Sequence, residues 1–178
     1  MTRLALMCGL TFVIAATLAL PSRADEPAVA NAKQAAGLFM QSCLQFAGDK
    51  DSLRAWAKNT KLRELSPTGQ DIFLHGLPGI VFDASNKDGK FVLVSEDGGS
   101  CSVLAETASG SAVVSDLEND LSEAQISYKI TADHDDSAEK ALRHREYTAT
   151  KGDRGWLLLV STVKDQAGGE AMLTANRY

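Results

Sequence analysis

One predicted strand, residues 142–150, carries the side chains best suited to holding an anion. Successive side chains of a strand point to opposite faces, so Arg143, Arg145 and Tyr147 share one face. Two guanidinium groups beside a phenol can bind a carboxylate or a phosphate. The same face can instead be the solvated side of an edge strand, where charges deter aggregation, and we favour this second interpretation. If this face binds a ligand, these three residues are the candidates for binding it.

A polar segment just before this strand, Asp133-His134-Asp135-Asp136, brings three carboxylates and an imidazole together in sequence. These groups are metal-ligand types. Sequence neighbours rarely converge on one ion, however, and no distant His or Cys is obviously paired with them. We therefore predict an exposed polar loop here, and we expect neither a metal nor a cofactor.

Motifs for nucleophilic catalysis are absent from the sequence. The spacing around Gly98-Gly99-Ser100-Cys101-Ser102 does not fit G-x-S-x-G, and there is no phosphate loop, zincin motif or dinucleotide fingerprint. No catalytic residue is therefore assigned. A cleft in which a histidine meets a carboxylate or a hydroxyl would indicate a hydrolase instead.

The N-terminal residues, 1–24, have the pattern of a secretory signal peptide. Arg3 precedes an apolar run over 4–20, and small residues lead to a predicted cleavage site after Ala24. A membrane anchor is the alternative, but the run is at the lower limit for spanning a bilayer. We therefore expect a single domain over 25–178 that is periplasmic or secreted and, once mature, not embedded in a membrane.

The cysteine count follows from this cleavage. Cys8 lies in the signal peptide, so Cys43 and Cys101 remain, and two cysteines in an oxidising compartment predict one disulfide. A catalytic thiol partnered by a histidine is the alternative, with three candidate partners: His75, His134 and His144. Neither cysteine has the local signature of a cysteine enzyme, and no C-x-x-C motif is present.

Composition excludes some classes of function. The chain has 178 residues and a formal net charge of −5, whereas nucleic-acid-binding proteins are usually basic, so we expect no nucleic-acid partner. Hydrophobic residues make up 44% and charged residues 23%, which is typical of a folded domain. The acidic balance favours encounter with a basic protein partner.

Hydrophobic periodicity predicts the elements that position these residues. Apolar spacing indicates a helix over 28–47, a short helix capped by Asp51 or Ser52, and another opened by Ser66-Pro67. A further helix over 112–124 has an acidic face that we expect to be solvated. Alternation and turn residues predict seven strands: 80–84, 90–96, 101–106, 126–132, 142–150, 156–163 and 171–178.

This order of elements predicts an α+β fold. We expect one antiparallel sheet of about six to seven strands, with the N-terminal helices and the inserted helix packed on one face. A Cys43–Cys101 bridge would then attach the first helix to the start of a strand. Closing a loop of this length stabilises a fold by roughly 4 kcal/mol in the chain-entropy model.

Two segments carry a family resemblance. Cys43-Leu44 on the first helix and Asp97-Gly98-Gly99-Ser100-Cys101-Ser102-Val103 at a strand start resemble small exported proteobacterial proteins with no assigned activity. The similarity covers residues 38–125. It implies a paired Cys43 and Cys101 in a helix-plus-sheet domain, and it implies no catalytic residues.

Export, small size, acidity and the missing motifs together predict a binding or inhibitory protein of the cell envelope, for instance an immunity-type protein that caps a toxin or hydrolase. The alternative is a small-molecule or peptide sensor with a pocket between helices and sheet. Arg143, Arg145 and Tyr147 would be its first residues to test. An envelope hydrolase is the third hypothesis.

Overall fold

The computed structural model describes residues 25–139, 141–164 and 168–178. The predicted signal peptide, with Cys8, lies outside the described residues. The helices are α1 (Asp25–Gln41), α2 (Cys43–Phe46), α3 (Lys50–Asn59), α4 (Pro67–Leu74) and α5 (Gly110–Glu123). The strands are β1 (Arg63–Glu64), β2 (Gly79–Asp83), β3 (Phe91–Glu96), β4 (Cys101–Ala108), β5 (Ser127–Asp135), β6 (Leu142–Lys151), β7 (Arg154–Val163) and β8 (Gly169–Arg177).

The described strands form one antiparallel sheet in the order β1-β2-β3-β4-β8-β7-β6-β5. Two meanders, β1 to β4 and β5 to β8, therefore meet where β4 pairs with β8. The predicted α+β class is confirmed. The sheet has eight strands instead of six to seven, because Arg63 and Glu64 pair with β2 in a strand too short to show alternation.

The main core lies between one face of the sheet and helices α1, α2, α3 and α5. Phe39 of α1, Leu117 of α5, and Phe82 and Leu93 of the sheet are fully buried members of this core. Burying one such side chain stabilises the fold by about 1.5–3 kcal/mol. The predicted inward stripe of the first helical segment is confirmed. Four of its positions are fully buried, namely Ala32, Ala36, Phe39 and Cys43, and Phe46 is half-buried.

Helix α4 packs on the opposite face of the sheet, which corrects the expectation that all helices share one face. Leu74 of α4 is buried with Val81 and Val94, which alternate along their strands with Phe82 and Leu93 of the main core. Most of this second face, over β4, β8, β7 and β6, is not covered by α4. The protein thus has one sheet face packed against most of the helices and a second face that is largely open.

Two helix boundaries differ from the predictions. The helix predicted over 28–47 is interrupted at Ser42, whose hydroxyl donates to the Leu38 carbonyl at 2.6 Å. The next helix is capped by Asp49, whose Oδ1 accepts from the Ser52 amide at 3.0 Å, so the predicted caps Asp51 and Ser52 lie inside it. The Ser66 cap is confirmed.

The predicted disulfide is present. Cys43 of α2 and Cys101 of β4 are bonded, with their Cα atoms 5.1 Å apart and both side chains buried. The adjoining backbone is also joined, because the Gly48 amide donates to the Gly99 carbonyl at 3.0 Å. The end of the helical segment is therefore attached to the β3–β4 turn at two points.

None of the helices within the described ranges is both long enough and apolar enough to span a membrane.

Replacing both cysteines, as Cys43→Ala with Cys101→Ala, should lower the free energy of unfolding by about 4 kcal/mol, because the open loop regains conformational entropy when unfolded. The bridge closes a sequence separation of 58 residues. Urea denaturation of the chain over 25–178 measures the difference. As a control, reductant should destabilise the unaltered protein and leave the double variant unchanged. Equal stability of the two proteins without reductant would contradict the prediction.

Candidate functional site

Strand β6 lies inside the sheet. It pairs with β5 on one side and with β7 on the other, so the interpretation of residues 142–150 as a solvated edge was wrong. The predicted alternation holds, because Arg145 and Tyr147 stand opposite Val160 and Leu158 of the main core. The face that carries Arg143, Arg145 and Tyr147 is therefore the face on which α5 packs.

Asp133 of β5 holds both arginines in place. Its Oδ1 accepts from Arg143 Nε at 2.7 Å, and its Oδ2 accepts from Arg145 Nε at 3.1 Å and Nη2 at 2.7 Å. Hydrogen bonds from Arg143 and then Arg145 lower the pKa of Asp133 to about 2, which outweighs the opposing effect of burial. The carboxylate stays ionised at all ordinary pH values, so the pairing persists.

Glu118 of α5 ties the helix to β6. Its Oε1 accepts from Arg145 Nη1 at 3.1 Å and from the Tyr147 hydroxyl at 3.0 Å. Burial, followed by the hydrogen bond and the charge of Glu118, raises the pKa of Tyr147, so the phenol stays protonated and remains a donor. The prediction of a wholly solvated acidic face on this helix was therefore wrong at Glu118.

A cavity of about 560 Å³ opens between the first turns of α5 and the ends of β6 and β7. Arg143, Arg145 and Lys164 supply its cationic lining, and its apolar lining comes from three valines: Val114, Val160 and Val163. Tyr147 does not line the cavity; it is buried and supports Glu118 beneath α5. Of the three predicted ligand-binding residues, the two arginines thus line the cavity, and the tyrosine supports the packing of α5.

The start of α5 forms one wall of this cavity. Gly110 lies so close to β7 that an added Cβ would be 2.9 Å from Thr162 Cβ. The preceding Ser109 makes no side-chain hydrogen bond that caps the helix. The first amides of a helix carry a partial positive charge, so this wall favours an anion alongside the two arginines.

The prediction of a loop at the acidic segment 133–136 was wrong, because β5 extends through Asp135. Its carboxylates face three different partners: Asp133 the two arginines, Asp135 the Lys164 ammonium at 2.8 Å, and Asp136 the His144 ring at 3.0 Å. Within the part of the chain that the structure covers, no group of three or more His, Cys, Asp or Glu side chains could hold a metal ion. The segment is a row of carboxylate acceptors that runs along the end of β5 and into the residue that follows it.

Sequence analysis missed Lys164 and Glu118 as partners of this site. Both lie outside strand 142–150. The pairing of β7 with β6 brings Lys164 to the cavity, and the packing of α5 brings Glu118 to β6. Sequence analysis also missed Ser161, which stands opposite His144 on the other sheet face. No local motif marks any of the three, because each contact depends on strand order.

Comparison of the chain with protein-family models, with curated proteins and with solved structures found no match. The resemblance of residues 38–125 to small exported proteobacterial proteins therefore stays a prediction.

Asp133→Asn should destabilise the protein by about 1 kcal/mol near neutral pH, a typical magnitude for partly exposed ion pairs. Because the folded pKa is below the ordinary value, the stabilisation is complete above about pH 4 and is lost as the pH falls towards 2. The difference from the unaltered protein should therefore shrink over that range. Urea denaturation at several pH values measures it.

The matched control is Asp153→Asn, which removes an exposed carboxylate in the β6–β7 turn. Its stability should stay within about 0.5 kcal/mol of the unaltered protein at every pH. A pH-independent loss in Asp133→Asn would show that the ion pairs do not carry the effect.

Proposed function

We propose that this is an exported binding protein that takes a small anionic ligand in the cavity beneath the start of α5. The observation that supports the proposal most directly is the convergence of Arg143, Arg145 and Lys164 on one 560 Å³ cavity. Ligand sites of this size commonly combine apolar walls with a few placed polar groups. The proposal follows the sensor alternative of the sequence analysis.

Arg143 is the residue with binding capacity left over. Within the described chain it contacts Asp133 through Nε, and its terminal amino groups meet no protein acceptor. Its side chain is 51% exposed, whereas that of Arg145 is 24% exposed and bonded to both Asp133 and Glu118. An incoming carboxylate or phosphate would therefore bond to Arg143 first, with Arg145 as the positioned neighbour.

Charge balance defines the class of ligand. Each cationic group at the cavity already has a carboxylate partner, namely Asp133, Asp135 or Glu118. A ligand must therefore compete through hydrogen-bond geometry as well as charge, which favours a planar carboxylate or a phosphate over a simple halide. The valine lining favours a ligand with an apolar part, such as the C-terminal end of a short peptide or a small organic acid.

Protein inhibition, the leading expectation from sequence, stays a prediction alongside this proposal. Recovery of a stoichiometric protein partner from periplasmic extract would support it.

Arg143→Ala should weaken binding of a short-chain organic acid or inorganic phosphate by about tenfold or more, the equivalent of one charge-assisted hydrogen bond. Calorimetric titration of the chain over 25–178 measures the affinity, with chloride held constant. The control is Arg63→Ala, which removes an arginine from a similar Asp83 ion pair at the far edge of the sheet and should leave the affinity unchanged. If no organic acid, phosphate or acidic peptide binds the unaltered protein, the proposal is wrong.

Export has its own test. Protein recovered from the native envelope should begin at Asp25 and should carry the Cys43–Cys101 bond, because signal peptidase cleaves after a small-x-small site and the compartment oxidises thiols. Intact-mass measurement, before and after alkylation without reductant, reads both features. A product that retains residues 1–24 and has alkylated thiols would contradict export.

A further inference from the structure

The partly open face of the sheet holds a second cavity, a groove of about 760 Å³. Its lining is mainly apolar and is contributed by α4 and by six strands, with Phe73, Val92, Leu104, Leu142 and Met172 among the lining side chains. One lining hydroxyl, that of Ser161 on β7, belongs to a polar cluster on the same face. The groove faces away from the cationic cavity described above.

Ser161, His144 and Asp136 form a continuous hydrogen-bonded chain, which we call the serine–histidine–aspartate chain. Ser161 Oγ lies 2.8 Å from His144 Nδ1, and His144 Nε2 lies 3.0 Å from Asp136 Oδ2. The first contact is a direct cross-strand pair, because His144 of β6 and Ser161 of β7 are opposite in register. A histidine that meets both a hydroxyl and a carboxylate is the feature expected of an acyl-transfer site.

The proton positions in this chain follow from the acceptor at its end. Asp136 Oδ1 accepts from the amides of Glu139 and Ala138, which together with His144 lower the pKa of Asp136. An ionised carboxylate only accepts hydrogen bonds, so His144 Nε2 must carry the proton it shares with Asp136. In the neutral ring Nδ1 is then an acceptor, and it faces the Ser161 hydroxyl as a general base would.

Ser102 provides a comparison on the same face. Its hydroxyl lies 2.8 Å from Thr174 Oγ1 on β8, and its exposure of 7% is close to the 8% of Ser161. The two serines therefore have similar burial and similar cross-strand hydrogen bonds. They differ in the partner, which is a hydroxyl for Ser102 and an imidazole for Ser161.

We propose that Ser161 is a nucleophile that accepts an acyl group from an ester whose apolar part lies in the groove. Ser161 Oγ attacks the carbonyl carbon while its proton moves to His144 Nδ1. The bond from that carbon to the alcohol oxygen then breaks, and His144 returns the proton to the departing alkoxide. Water next attacks the acyl-serine with the same proton transfers, so an ester and water become an acid and an alcohol.

The position of Ser161 within a strand limits the second half of this reaction. The β7 backbone pairs with β6 and β8 on its two sides at this point, so its amides serve the sheet and not the developing oxyanion. Amide donors aimed at the oxyanion supply a large share of the rate in hydrolases that have them. An activated ester compensates with a good leaving group, but hydrolysis of the acyl-serine has no such aid, so the acylated protein accumulates.

The test is covalent labelling of the chain over 25–178 with p-nitrophenyl butyrate and, separately, with an alkyl fluorophosphonate. Intact mass should show one adduct, and peptide mapping should place it on Ser161, with a burst of p-nitrophenolate close to one equivalent. Ser161→Ala should abolish the adduct, and His144→Asn should slow labelling by about a hundredfold or more, the usual contribution of a general base. Ser102→Ala should label at the unaltered rate.

Several results would overturn the proposal. They are the absence of an adduct, an adduct spread equally over Ser102 and other serines, or a labelling rate that His144→Asn leaves unchanged. Mapping of the adduct in the unaltered chain decides the matter even where a variant fails to fold, and thermal unfolding identifies such a variant. Ligand binding in the cationic cavity is read separately by calorimetry, so failure of one proposal does not imply failure of the other.

Discussion

The pairing of β4 with β8 is the constraint on which the rest of the structure depends. It joins residues far apart in sequence, such as Val103 with Leu173, and makes two separate meanders into one sheet. Helix α5 leaves the sheet directly after β4 and must reach β5 at the opposite edge. β8, β7 and β6 lie between these two strands, and the start of the helix lies over β7, where Gly110 is close to Thr162.

This path of α5 explains why the cationic cavity exists. The helix packs over Tyr147 and bonds to Arg145 through Glu118, while Gly110, Ser111 and Val114 of its first turns line the cavity. The space between that first turn and the ends of β6 and β7 is lined by the side chains that these strands place on this face. In this chain they present arginines, valines and a lysine.

Much of the fold could be predicted from the sequence because its signals are local. The inward stripe of α1, the Ser66-Pro67 helix start and the hairpins of β2 to β4 depend on residues only a few positions apart. The disulfide followed from cysteine count and compartment. Asp133 was assigned to a loop because its charge opposes strand propensity, while in the folded protein two arginines on β6 compensate for that charge.

The contacts that give the two cavities their chemistry could not be predicted, because they are set by the order and register of strands. Alternation alone placed Arg143 and Arg145 on one face and His144 on the other, without indicating which face would be covered. The partners Glu118 and Ser161 become neighbours of β6 only after α5 and β7 are in place. Such information is contained in the whole packed sheet and not in any segment of it.

Strand β6 therefore serves two faces with consecutive residues, and this has a consequence for how the chain can change over evolutionary time. Replacing one side chain affects one face alone. Deleting or inserting a single residue inside β6 would shift its pairing with β7 by one from that point, which would turn the side chains beyond it to the opposite face. Among descendants of this sequence, the length of β6 should vary less than its composition.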